Sequence, residues 1–225
     1  MRVLVVAGSP EVASREVLRC AAARCDRIVV ADRGLDALLA AGLDCDVFCG
    51  DADTVGAVGR ALVDRAALEG APFEVERFDP RKDATDLALA LRAVTTRWPG
   101  SDIVATCCSG GKPDMALSVL GLLAGWDGGA VEIFEDAFAA RMLRAGETWD
   151  IEGGVDRRFS LLALAPDTVV SERGLAWELD HAALPLLGDL GISNYITAPI
   201  AHVACHSGCA IAYLFNEPSP LAPQN

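Results

Sequence analysis

Residues 47–54 read Val47-Phe48-Cys49-Gly50-Asp51-Ala52-Asp53-Thr54. A short apolar run without polar alternation marks a strand covered on both faces, and such strands belong to parallel sheets flanked by helices. The run ends on a glycine and two acids. In open parallel sheets, ligands bind at the carboxyl ends of the strands. Asp51 and Asp53, at i and i+2 on extended backbone, are expected to point to the same side. Two carboxylates so close repel each other unless a cation or proton lies between them. Hard oxygen donors of this kind suit Mg2+, and Gly50 allows close backbone approach. The segment also has a simpler use as a helix cap, with Asp53 or Thr54 leading a helix from Val55. A cap accounts for one carboxylate but not both, so metal is the favoured reading.

Working outward, the first 136 residues alternate strand-like and helix-like segments. Strands are expected at Arg2–Ala7, Arg27–Ala31, Val47–Gly50, Phe73–Phe78, Ile103–Cys108 and Val131–Phe134, with helices at Val55–Glu69, Asp86–Arg97 and Pro113–Ala124. In the second helix Leu87, Leu91, Val94 and Trp98 recur at helical spacing. This alternation predicts an α/β domain over 1–136 with an open, mostly parallel sheet. After Asp136 short segments broken by turns follow, at Glu147–Ile151, Phe159–Ala165, Thr168–Val170, Ala176–Leu179 and Ala210–Phe215. They predict a smaller antiparallel β-domain over 137–225, with a proline-containing tail frayed from Glu217.

Composition narrows the function. The 225 residues are 52% apolar and 23% charged, which suits a folded chain with buried cores. The net charge of −13 argues against nucleic acid and anionic membranes as partners. No apolar run is long enough to span a bilayer, and the opening MRVLVVAGSP reads as a buried strand rather than a signal peptide. Eight cysteines without an export signal read as reduced thiols, and a cytoplasmic location is expected.

Three other expected strand ends carry polar clusters. Ala31-Asp32-Arg33-Gly34 offers an acid for a ribose, metal or base, and an arginine for a phosphate. Arg81-Lys82-Asp83-Ala84-Thr85-Asp86 opens a helix, with Asp83 and Asp86 expected on one face of its first turn. Taken alone, that segment reads as an ordinary cap. Ser109-Gly110-Gly111-Lys112-Pro113-Asp114 places two glycines and a lysine before a helix that starts at a proline. Free amides, a positive helix end and Lys112 make a phosphate cradle, although the spacing is not that of a Walker A loop. Lys82 and Lys112 are the only lysines among nineteen basic residues, and both lie in these clusters.

The order ADRG, GDADT, KDATD, GGKPD resembles the thiamine pyrophosphokinases, whose pattern is close to ADGG, GDxDS, KDxTD and GGRxDH. Further on, FSLL at Phe159–Leu162, GLAW at Gly174–Trp177 and GISN at Gly191–Asn194 resemble that family's FSLLPL, GLKW and GxSNE segments. The resemblance runs through nearly the whole chain in order. It implies an N-terminal α/β domain, a C-terminal β-sandwich that binds thiamine, and a homodimer with its sites at the interface. It also implies Mg2+, ATP as donor, and transfer of a pyrophosphoryl group to the hydroxyl of thiamine, with AMP leaving. By position, Asp51, Asp53 and Asp86 would hold metal and Asp32 would join them at the phosphates. Arg33, Lys82, Gly110, Gly111 and Lys112 would contact the nucleotide, and Asp114 would complete the catalytic set. Trp177, Ser193 and Asn194 would hold the pyrimidine end of thiamine, an aromatic face suiting a flat heterocycle and an amide its ring nitrogens and amino group.

The chain departs from the family pattern at several positions. Arg33 stands for a glycine, Thr54 for serine, Lys112 for arginine, Met115 for a polar residue and Tyr195 for the glutamate after Ser-Asn. Two other functions remain open on this reading: a pyrophosphokinase of the same fold acting on another heterocyclic alcohol such as a pterin, and a non-catalytic thiamine or nucleotide sensor. One separate constellation, His202, Cys205, His206 and Cys209, has zinc-type residues at a spacing tighter than common zinc motifs, and a hairpin turn at Ser207-Gly208 is the favoured reading.

Overall fold

The computed structural model describes residues 1–69 and 73–222. The chain divides into two compact units, Met1–Asp136 and Ala137–Asn225.

The first unit holds six strands, β1 (Arg2–Val6), β2 (Arg27–Ala31), β3 (Val47–Gly50), β4 (Glu74–Arg77), β5 (Asp102–Thr106) and β6 (Val131–Phe134). They pair in the order β6-β5-β1-β2-β3-β4, and each of these pairings is parallel. The helices are α1 (Arg15–Ala22), α2 (Gly34–Ala40), α3 (Ala57–Glu69), α4 (Asp86–Arg97) and α5 (Pro113–Ala124). Alternation along the strands covers both faces. Leu4, Val6, Val30, Phe48 and Val104 pack with Leu18, Leu35, Leu38 and Val63 of the first three helices. The alternate residues Val3, Val5, Val29 and Val47 are equally buried, and α4 packs on β1, β2 and β3. Burying each such side chain contributes about 1.5–3 kcal/mol, which fixes the strand register.

Helices α1 and α2 lie where the sequence reading placed no regular structure. Ser14 caps α1, its hydroxyl accepting from the Val17 amide at 3.3 Å. At the start of α2, a Cβ on Gly34 would lie 2.6 Å from the carbonyl oxygens of Val6 and Ala7, so only glycine lets this helix approach β1. The helix expected from Val55 starts at Ala57, so the residue that flanks it is Gly56 rather than Asp53 or Thr54. Its last residue is Glu69, and Phe73, the expected start of β4, precedes the observed strand by one residue.

The second unit is a sandwich of two four-stranded antiparallel layers. Its strands are β7 (Phe138–Arg144), β8 (Thr148–Glu152), β9 (Arg157–Ala163), β10 (Thr168–Arg173), β11 (Leu179–Leu184), β12 (Asn194–Tyr195), β13 (Ile200–Ser207) and β14 (Cys209–Pro218). One layer runs β12-β9-β14-β7 and the other β11-β10-β13-β8. Phe159, Leu161, Ala212 and Leu214 of the first layer meet Val170, Ala201, Val203 and Cys205 of the second in one core. The strand expected at Ala176–Leu179 is mostly turn, because β11 begins only at Leu179. The tail is held further than expected: β14 runs to Pro218, and the Ser219 amide donates to Asp156 O at 2.7 Å. Residues 223–225 of that tail lie outside the described residues. Among the described residues no helix is long and apolar enough to cross a membrane.

Candidate active site

The carboxyl ends of β2, β3 and β4 bring together the first cluster. Asp32 follows β2, Asp51 and Asp53 follow β3, and one ligand atom from each lies within 4.8 Å of the others. They form the only such converging group of three acids, histidines or cysteines found among the described residues. The convergence has a local cause. Asp51 and Asp53 do not sit on extended backbone as the i, i+2 argument assumed, because Ala52 between them has φ 63°. This left-handed turn, unusual for a residue with a Cβ, is closed by the Asp53 amide donating to Asp51 Oδ1 at 3.0 Å. Gly50 has φ 155°, and a Cβ there would sit 3.1 Å from Asp32 Cβ. Glycine is what lets Asp32 close on the pair.

Lys82 ties the cluster to α4. Its ammonium donates to Asp51 Oδ2 at 2.7 Å and pairs with Asp86 Oδ1 at 2.9 Å. Asp86 therefore reaches the group through Lys82, and the third converging acid is Asp32, where the sequence reading had set Asp86 with Asp51 and Asp53. Asp83 lies before the helix rather than on its first turn, since Thr85 is the cap and accepts from the Ala88 amide at 3.2 Å. The Thr54 hydroxyl donates to Asp32 Oδ2, while Asp32 Oδ1 is buried with no hydrogen-bond partner among the described residues. Burial is the largest single influence on Asp51 and raises its pKa, but the hydrogen bond and charge of Lys82 together with the hydrogen bonds from Asp53 outweigh it and hold the carboxyl below its ordinary value. Asp53 is pushed up by burial and by Asp51 beside it, and Asp86 is pushed up by burial against the pull of Lys82.

The loop after β5 is the second part of the site. Cys107, Gly110 and Gly111 all have positive φ, at 53°, 79° and 76°. The buried carboxylate of Glu135, just beyond β6, accepts from the amides of Cys108 at 2.8 Å and Ser109 at 3.2 Å. These two amides therefore anchor the loop and are not free for phosphate. The Ser9 hydroxyl donates to Ser109 O, and a Cβ on Gly110 would overlap the Glu11 carboxylate. Lys112, at the N-cap of α5, and Asp114, in its first turn, are both exposed. Arg33 is exposed at the start of α2. Sequence reasoning missed Glu11 and Glu135, since an isolated glutamate with no motif around it carries no signal.

In the second unit, Trp177 is 56% exposed and Ser193 is also exposed, while Asn194 is only 2% exposed. The Asn194 amide is fully committed. Its Oδ1 accepts from the amides of Trp177 at 3.2 Å and Tyr195 at 2.9 Å, and its Nδ2 donates to Trp177 O at 2.7 Å and Glu172 Oε2 at 3.3 Å. Asn194 thus clamps the backbone of Trp177, whose ring stands edge-on to Tyr195 at 5.8 Å. The His202-to-Cys209 constellation does not converge. His202 pairs with Asp150, the His206 ring meets the Ser171 hydroxyl at 2.8 Å, and the Cys205 thiol donates to Ser207 O.

Residues 18–134 match the family model for the thiamin pyrophosphokinase catalytic domain. The chain belongs to the thiamin pyrophosphokinase family. As a thiamin pyrophosphokinase it is a transferase of the kinase type. The fold agrees with solved relatives. The thiamine pyrophosphokinase of Bacillus subtilis matches with TM-score 0.78 at 22% identity over 96% of this chain and 100% of that one. The Geobacillus thermodenitrificans thiamin pyrophosphokinase gives 0.76 at 21% over 98% and 100%, and that of Candida albicans 0.77 at 14% over 96% and 90%. No curated protein sequence matches the chain.

Proposed function

We propose that the protein transfers the pyrophosphoryl group of Mg-ATP to the hydroxyl of thiamine, giving thiamine diphosphate and AMP. The observation that carries this reading is the convergence of Asp32, Asp51 and Asp53 beside Lys82 at the strand ends. Three carboxylates with an unpartnered buried oxygen on Asp32 fit a hard divalent cation, so these residues would hold Mg2+. Bound there, Mg2+ supplies charge neutralisation on the polyphosphate oxygens.

The chain's own residues do the rest. Lys82 holds Asp51 ionised and oriented. Lys112 and the first amides of α5 face the phosphates as fixed positive ends, inside a protein whose net charge of −13 would otherwise repel them. Glu135 holds the loop that presents Lys112. Trp177 offers a flat face to the pyrimidine, Ser193 a hydroxyl beside it, and Asn194 keeps that face in place. Exposed Leu186, Leu187, Leu190 and Ile192 in the second unit support a homodimer as the working form, and the eight free cysteines support the cytoplasm as its location.

The test is production of AMP from ATP with purified protein. AMP that forms only when thiamine and Mg2+ are present supports the reading. AMP formed with a pterin alcohol instead, or no AMP with either, overturns it. Light scattering in the same buffer reads the oligomeric state.

A further inference from the structure

Glu172 is the most anomalous side chain in the second unit. It is 0% exposed on β10, two residues on from Val170, which belongs to the core that joins the two layers of the sandwich. In the ladder it lies opposite Leu179 on β11 and Val203 on β13, beside a register shift at Val170. Its Oε2 accepts from Asn194 Nδ2 at 3.3 Å, while Oε1 is buried with no hydrogen-bond partner among the described residues. A buried acid with one oxygen unsatisfied is costly, and a fold that keeps it calls for an explanation.

We propose that Glu172 is a positioning residue for the acceptor site, acting through Asn194 to hold the backbone of Trp177. This rests on the reading above that Trp177 is the acceptor platform. Two backbone amides fix the Asn194 oxygen, so its nitrogen must face Trp177 O and Glu172. Among the described residues Glu172 is therefore the side-chain partner of the Asn194 amide, whose other hydrogen bonds go to the main chain of Trp177 and Tyr195.

The charge state of Glu172 decides the strength of this hold. Burial pushes its carboxyl up to about 8, against the hydrogen bond from Asn194. Charged groups on the neighbouring elements are engaged elsewhere. Arg173 pairs with Glu178 and Asp180, His181 with Asp180, His202 with Asp150, and His206 with Ser171; Arg157 donates to Phe215 O, and Arg158 lies over the Phe215 ring. At neutral pH the carboxyl is neutral and accepts from Asn194 as a carbonyl. Above about pH 8 the proton leaves to solvent, and an anion remains in an apolar layer with one hydrogen bond. The segments around Trp177 and Asn194 must then part to admit water, which displaces the platform.

The experiment compares wild type, Glu172→Gln and Glu172→Leu from about pH 7 to about pH 9. Thiamine KM of the wild type rises about tenfold over that range, as expected for a group titrating near pH 8, while ATP KM does not follow. Glu172→Gln keeps an acceptor for Asn194 and cannot ionise, so its thiamine KM stays flat relative to wild type. In parallel, tryptophan emission without substrate shows a transition near pH 8 that is absent in Glu172→Gln and in a Trp177→Phe control. Glu172→Leu, which removes the acceptor, has a raised thiamine KM at every pH; if it does not fold, the Gln variant decides alone. A Gln variant that tracks wild type in emission overturns the proposal. If wild type makes no AMP with thiamine, the acceptor reading fails, and the emission titration still decides whether Glu172 holds Trp177.

Discussion

The Nζ of Lys82 lies 2.7 Å from Oδ2 of Asp51. This ammonium sits within a group of four acids, counting Asp32, Asp53 and Asp86, and both partners of the pair are largely buried. Removing one partner of such a pair leaves an uncompensated charge, a loss on the order of 3 kcal/mol. Lys82→Met is therefore expected to unfold at lower urea concentration than wild type, and millimolar Mg2+ should recover part of the loss by taking the place of the missing charge. A variant as stable as wild type without Mg2+ would show that the acids are not mutually strained.

Asp51→Asn and Asp53→Asn should each cut turnover by roughly a hundredfold or more while leaving circular dichroism unchanged, since each removes one hard donor from a three-donor cluster. The check is activity over a Mg2+ titration. Near-normal rates at limiting Mg2+ in both variants would place the metal elsewhere.

Lys112→Ala should lower kcat by roughly 10²-fold, the scale of losing one preorganised donor, and Lys112→Arg should be tolerated because it keeps the charge. Its exposed position makes the pair of variants informative. An alanine variant as active as wild type, or an arginine variant as slow as alanine, would reduce the segment to a turn.

Trp177→Ala should raise the thiamine KM well beyond the ATP KM, because the ring is exposed and no nucleotide role is assigned to it. Equal effects on both substrates count against the assignment.

Stability should also depend on pH through Glu172. Its folded pKa of about 8 lies above the ordinary value of 4.5, so the folded state holds the proton more tightly than the unfolded one. The associated stability is fully present below pH 4.5 and is lost as pH rises through 8. Urea midpoints of wild type should fall across that window, and those of Glu172→Gln should fall less. Parallel slopes for the two would mean other groups dominate.

The strands β2, β3 and β6 and the helices α4 and α5 were readable residue for residue, because unbroken apolar runs and helical spacing leave little choice of element. The acids at the strand ends were readable for the same reason. Helices α1 and α2 were not, since Gly34 at a helix start looks like a loop residue until the carbonyls of β1 are seen above it. The extended geometry assumed for Asp51 and Asp53 was wrong because the left-handed turn at Ala52 is set by the hydrogen bond from Asp53 and not by any residue preference. Glu172 between Ser171 and Arg173 reads as an ordinary polar strand, and its inward direction shows only once Val170, two residues before it on β10, is seen in the core. Glu135 is recognisable only when β5 and β6 are side by side.

Strand β1 lies between β2, which follows within 27 residues, and β5, whose pairing joins Arg2 to Asp102. One edge of an almost wholly apolar strand must therefore wait about a hundred residues of synthesis for its neighbour. At translation rates of roughly 5–20 residues per second, that is an interval of several seconds or more. An unpaired apolar edge is a template for pairing with other chains, so a nascent chain cut short before β5 is the form most prone to aggregate. Recombinant yield should consequently track the speed of elongation and the supply of chaperones more closely than the stability of the finished protein.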